Sequence, residues 1–232
     1  MSSPAAGENR LAALVGQITL GTRALLVINI AVHVIIFLFT LPIGFFSISF
    51  VDVVLRGEVY RIVTAAYVHV GIVHIFMNMS SLWALGPDLE QKFGTSQFLI
   101  MTLWSTFIIV FLYVGLSWIA FKVIGDTSQL VSSAVGFSGV LFAYAIIECF
   151  HTTQTTRSLF GAVNVPARVY PFILLVILQV ALPGISFAGH LAGVIVGLFA
   201  ISGLLAPFMP SPGLLLSCLV AYIRYCSLCG LS

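Results

Sequence analysis

An all-α, polytopic membrane bundle with six spans is the fold this sequence predicts, and three observations carry that expectation. Only 16 of the 232 residues are charged, nine Lys or Arg and seven Asp or Glu, which is 7% against roughly 25% in soluble domains. Hydrophobic types make up 60%. The apolar residues also fall into successive runs divided by polar stretches, as spans divided by loops do. A soluble globule of this size would have too few charges to cover its surface, and a disordered chain needs the opposite composition. The net charge of +2 is small and scattered, which excludes nucleic acid as a partner and leaves the lipid bilayer. Four Cys give no disulfide or zinc framework. Cys226 and Cys229 form a lone CSLC, and one such pair cannot fill a structural zinc site.

The elements follow in order. Residues 1–23 read as a cytosolic segment, residues 24–206 as the six-span domain and residues 207–232 as a short hydrophobic tail. The first span is expected over 24–46, loosening at Pro42 and Gly44. Residues 52–67 carry Arg56, Glu58 and Arg61 and read as a polar loop. The second span, 70–87, ends in the charged turn Asp88, Glu90, Lys92. The third covers 98–123. The fourth covers 133–150 and is entered through Gly125-Asp126-Thr127-Ser128-Gln129. A Thr-rich stretch over 151–168 has no apolar run long enough to cross. Span five covers 169–182, Pro183-Gly184 turns the chain, and span six covers 185–206. The run 213–223 is short of the about 20 residues a crossing needs and reads as interfacial, with a seventh span left open. The terminal Cys229-Gly230-Leu231-Ser232 has the loose form of a prenylation signal, though Gly230 fits its aliphatic position poorly.

Lys and Arg counts set the orientation. With the N-terminus cytosolic, six of them (Arg10, Arg23, Lys92, Arg157, Arg168, Arg224) lie on the cytosolic side and three (Arg56, Arg61, Lys122) on the other.

Polar residues inside a bilayer are costly and point to function. His69 stands just before span two, which holds His74 and Asn78 near its start; span four holds Gly136-Phe137-Ser138-Gly139 and span six Gly189 and His190 near theirs. All three spans enter from the non-cytosolic side, so at about 1.5 Å per residue these groups share one depth. His74 and Asn78, four apart, share a helix face. Gly189, Gly193 and Gly197 form a small-residue stripe matched by Gly136, Gly139 and Ala143 on span four, and such stripes let helices approach closely. That approach would carry His190 towards Ser138. Taken singly, each signal has a plain structural reading. A membrane Ser bonds back to its own helix, a lone His joins a hydrogen-bond network, and glycines pack. Their coincidence at one depth favours chemistry.

Three protease mechanisms are open to a membrane protein. A zinc protease needs HExxH, and none of His33, His69, His74, His151 or His190 is followed by Glu. An aspartyl protease needs two facing carboxylates, but the acids lie in loops except Glu148. A Ser nucleophile with a His base remains. No carboxylate lies at the depth of His190, so a dyad of Ser138 and His190 is expected, with no metal and no cofactor. Ser138 would open span four, where backbone N–H groups lack partners and the helix dipole favours negative charge. The N–H groups of Ser138 and Phe137, with the side chains of His74 and Asn78, are the expected oxyanion donors.

These residues strongly resemble the rhomboid family of intramembrane serine proteases. The family's Gly-x-Ser-Gly stands as Gly136-Phe137-Ser138-Gly139, its His-x-x-x-Asn as His74 to Asn78, and its span-six histidine as His190 with Gly193 and Gly197. The stretches AVGFSGVLFA and PGISFAGHLAGVIVGL look especially like the endoplasmic-reticulum branch. The resemblance implies a six-span fold that hydrolyses transmembrane segments of other proteins, in the endoplasmic reticulum or another secretory-pathway membrane. It also implies that an aromatic ring packs on the catalytic histidine, here Phe142 where Tyr is frequent. Gly189 stands where Ala is common. The Trp-Arg pair of the first loop is not evident, and Glu90 and Lys92 read as a structural pair closing span two. The tail is shorter than the binding extension of degradation-linked members. Two other classes compete: a catalytically inactive, derlin-like client binder, which usually lacks the Ser or His, and a channel or transporter, which would spread polar groups through the full depth.

Overall fold

Helix α1 spans Leu20–Leu38 and starts four residues before the expected span, because an acid from elsewhere in the chain caps it. The buried Glu90 carboxylate accepts from the Gly21 and Thr22 N–H groups, both at 2.7 Å, and from the hydroxyls of Thr19, Thr22 and Thr95. Those N–H groups are among the four that a helix start leaves without partners. α1 also ends eight residues before the expected 46, since Thr40 takes a left-handed conformation (φ 48°) and Pro42 follows. In this computed structural model the described residues are 18–159, 161–182, 184–205 and 213. The tail readings, the seventh span and the prenylation form among them, lie outside these residues apart from Gly213.

The stretch after α1 is ordered. A 3-10 turn at Ile43–Phe45 and a π-helical turn at Val51–Leu55 lead into α2, Arg61–Tyr67. The buried guanidinium of Arg61 donates to the carbonyls of Gly44 and Ser47 and pairs with Glu58, while the Tyr60 hydroxyl donates to the Phe45 carbonyl at 3.0 Å. Where no Trp-Arg pair stands, Tyr60 and Arg61 anchor this loop. A 90° bend separates α2 from α3, Gly71–Phe93. α3 runs six residues past Pro87, where the sequence reading ended the span. Gly86 lies against α1 so closely that a Cβ there would meet the Thr22 side chain at 2.7 Å.

Helix α4 covers Thr95–Ile124, 30 residues and about 45 Å long. Its buried face carries Thr102, Ser105, Thr106 and Ser117, while Leu103, Phe111, Trp118 and Ile119 lie exposed. Polar groups inside and apolar groups outside suit a helix whose surroundings are lipid. A short turn, α5 (Ser128–Val131), precedes α6, Ser138–His151, in which Gly139 to Cys149 are buried without a break. A helix hydrophobic all round is a buried one, and α6 is the centre of the bundle. The expected span began at 133; residues 132–136 instead form an extended loop, so the helix is shorter.

The stretch 151–168 is not a plain loop. Thr156–Leu159 and Val163–Pro166 form an antiparallel hairpin, β1 and β2, which corrects the all-α expectation to a mostly helical fold. Helices α7 (Tyr170–Ala181) and α8 (Phe187–Ile201) follow. Among the described residues two helices, α1 and α4, are long and apolar enough to cross a membrane, and a third crossing results if α2 and α3 make one bent span. α6, α7 and α8 have 14, 12 and 15 residues, short of a full crossing by length alone.

Candidate active site

Ser138 reaches the centre of the bundle because its approach loop is pinned at four points. The Ser132 carbonyl accepts from the Tyr113 hydroxyl at 2.8 Å. Ala134 and Ile48 exchange two backbone hydrogen bonds at 2.9 Å, and the Gly136 N–H donates to the Ala65 carbonyl at 2.8 Å. The Phe137 N–H then points at Nε2 of the buried His69, 3.4 Å away. Gly136 has φ of 116°, and a Cβ on it would meet the His74 ring at 2.7 Å. No residue with a side chain fits that position without strain.

Close packing of α6 on α8 delivers the histidine. A Cβ on Gly193 would lie 2.1 Å from the Gly139 carbonyl oxygen, and one on Gly197 2.6 Å from Ile146 Cβ. Gly139 and Ala143 thus face Gly193 and Gly197, as the stripe implied, whereas Gly136 lies in the loop and touches α3. At this separation His190 Nε2 stands 2.8 Å from Ser138 Oγ. The Phe142 ring covers the imidazole, with centroids 4.8 Å apart. His190 Nδ1 is buried and has no hydrogen-bond partner among the described residues. No carboxylate orients this imidazole there; the aromatic ring and the helix packing do.

The oxyanion candidates divide. His74 Nδ1 accepts from the Val70 N–H at 3.2 Å, which leaves the proton on Nε2, the nitrogen turned towards Gly136 and the dyad. Asn78 donates one amide hydrogen to its own helix at the His74 carbonyl, 2.8 Å away, and lines a cavity with Ser138. α6 starts at Ser138 with no capping side chain, so its first-turn N–H groups lack helical partners. The Phe137 N–H, by contrast, is directed at His69. His69, to which the sequence motifs assign no task, enters the site through this contact; its place just before span two, five residues from His74, is the signal.

A cavity of about 430 Å³ borders Ser138, His190 and His74, and Ile43, Ser47, Val135 and Ser186 also line it. Its walls include Ile109, Val110 and Tyr113 of α4. Among the described residues no three His, Cys, Asp or Glu side chains converge as metal ligands do.

These features define a class: a helical membrane protein holding a Ser–His pair in a cavity at the start of its central helix. The chain belongs to the rhomboid family, whose Rhomboid domain matches residues 56–207. Rhomboid-like protein 15 of Arabidopsis thaliana is 34% identical over 171 residues, 72% of this chain and 42% of that protein. Rhomboid-related protein 4 of Homo sapiens is 32% identical over 136 residues, 59% of this chain and 43% of its own length. Rhomboid protease GluP of Bacillus subtilis is 24% identical over 159 residues, 67% of this chain and 28% of its own length. The chain therefore spans less than half the length of these relatives.

Proposed function

We propose that this protein is an intramembrane serine protease that cleaves peptide bonds in or near the transmembrane segments of other membrane proteins. The observation that carries the reading is the 2.8 Å contact between Ser138 Oγ and His190 Nε2, made by residues 52 apart in sequence. Membership of a family that includes a named rhomboid protease supports it.

In this mechanism His190 Nε2 takes the Ser138 hydroxyl proton as Oγ attacks the scissile carbonyl carbon. The oxyanion so formed accepts from the Ser138 N–H, His74 Nε2–H and the free amide hydrogen of Asn78. Phe137 joins them only if its N–H leaves His69. Collapse of the intermediate breaks the C–N bond, and His190 gives its proton to the leaving amine. Water from the larger cavity then loses a proton to His190 and hydrolyses the acyl-enzyme. Phe142, Gly136, Gly139, Gly193 and Gly197 hold the geometry and take no proton.

The same reading has six crossings, with α6, α7 and α8 as short spans, an N-terminus in the cytosol and the dyad near the non-cytosolic face of a secretory-pathway membrane. Residues 24–206 form its catalytic domain. The test uses the full chain in liposomes with a helix-destabilised transmembrane substrate. Ser138→Ala and His190→Ala should each lower cleavage by about 10⁴-fold or more. Unchanged cleavage in either variant rejects the dyad. Binding of the substrate without any cleavage by the wild-type chain would favour an inactive client binder instead.

A further inference from the structure

A second cavity, about 180 Å³ in volume, leads away from the dyad between α3 and α7. It starts at His74, Ser138 and His190, and residues such as Met77, Ala84, Leu174 and Leu178 make its sides apolar. Arg157 lines it too, and among the described residues is the one Lys, Arg, Asp or Glu that does. Arg157 belongs to strand β1 of the hairpin and pairs through Nη2 with the buried Glu148, ten residues along α6 from Ser138. Ten helical residues are about 15 Å, so the groove has the nucleophile at one end and a guanidinium at the other.

This guanidinium has donors to spare. Its Nη2 serves Glu148 Oε1, the Tyr170 ring lies 5.9 Å from its Cζ, and its buried Nε–H has no acceptor among the described residues. Arg presents five N–H donors in a planar fork that matches a carboxylate. Glu148 does not itself line the groove, so the group facing an occupant is the cation. A carboxylate carried into lipid is costly, and a guanidinium with free donors offsets that cost.

We propose that Arg157 is a specificity-determining residue, selecting transmembrane substrates that carry an Asp or Glu about 15 Å beyond the scissile bond, on the side running away from the dyad face; this rests on the proteolytic reading above. That distance is about ten residues if the segment stays helical and about four or five if it is extended.

The test scans Asp, Leu and Lys through positions roughly three to twelve residues beyond the cleaved bond of a single-span substrate, a window that brackets both conformations. Initial rates are measured with the full chain in liposomes. At one register Asp should be cleaved about tenfold faster than Leu, the size of one charge-assisted hydrogen bond, and Lys more slowly than Leu. Arg157→Gln alone would strand Glu148 as a buried charge, so the neutral pair Glu148→Gln/Arg157→Gln is used, with its thermal unfolding compared with wild type. Its Asp-to-Leu ratio at that register should fall to about one. The reversed pair, Glu148→Arg/Arg157→Glu, should move the preference from Asp to Lys. If Leu substrates are cleaved in a Ser138-dependent way and no register favours Asp, the inference falls and proteolysis stands. An Asp preference that survives in the folded neutral pair also overturns it. If no substrate is cleaved at all, both fall.

Discussion

His74 owes its chemical state to one hydrogen bond. Because Nδ1 accepts from the Val70 N–H, Nε2 must carry the proton in the neutral ring, and Nε2 lies on the edge of the ring that faces Gly136. His190 differs: its Nε2 meets the Ser138 hydroxyl while its Nδ1 has no partner among the described residues, so the proposed base role requires the tautomer with the proton on Nδ1. Of the two histidines in this cavity, only His74 has its tautomer set by a hydrogen bond at its other nitrogen. His74→Ala should reduce kcat by about 10²–10³, the usual cost of one oxyanion donor, with KM little changed. A loss confined to KM would make His74 a substrate-binding residue. Steady-state cleavage of a transmembrane substrate in detergent separates the two.

At the scale of elements, two contacts organise the bundle. The first joins α1 to α3: Glu90 supplies the acceptor that the start of α1 lacks, and Gly86 lets Thr22 approach. Glu90→Ala leaves buried N–H groups unsatisfied at about 1–3 kcal/mol each. The variant should lower the thermal midpoint in detergent and leave the kcat of the remaining folded protein near wild type. The second contact joins α6 to α8 at Gly193, where an added methyl meets a backbone carbonyl at 2.1 Å. Backbone cannot step aside as a side-chain tip can. Gly193→Ala should destabilise by about 1–3 kcal/mol, the usual cost of overpacking, and also widen the Ser138–His190 gap. It should therefore lose activity in protein that is still folded, whereas Glu90→Ala should not. Comparing unfolding curves with rates for the two variants tests this contrast.

At the scale of the whole molecule, three short helices decide the topology. α6 is buried from Gly139 to Cys149, so it needs little lipid contact and can be shorter than a lone span. Single Cys probes should settle the crossing pattern. With six crossings and a cytosolic N-terminus, Cys at Gly57 and Asp126 label from the non-cytosolic side, and Cys at Gln154 from the cytosol. Labelling of all three from one side would remove the proposed topology.

Much of this was legible in sequence, and what was not has identifiable causes. Ser138, His190, His74 and Asn78 stood out because lipid makes each polar residue conspicuous. The small-residue stripes announced that α6 and α8 meet. The early start of α1 was not legible, since its cap comes from Glu90, about 70 residues away. Nor was the hairpin at 156–166, whose two strands are only four residues each, too short for a period-two pattern to stand out. The anchoring by Tyr60-Arg61 was missed because a Trp was sought where a Tyr hydroxyl serves. The engagement of the Phe137 N–H by His69 depends on the path of a loop, which helix periodicity does not describe.

By itself the sequence determined the solvent, the family and the identity of the polar groups, because each follows from composition or short-range spacing. The tertiary structure alone decided which nitrogen of each histidine is free and how near Ser138 stands to His190. It also decided that the Arg157 guanidinium lines the second groove. Those properties arise from contacts between residues far apart in the chain, where a few tenths of an ångström at a glycine or a single carbonyl changes the chemistry.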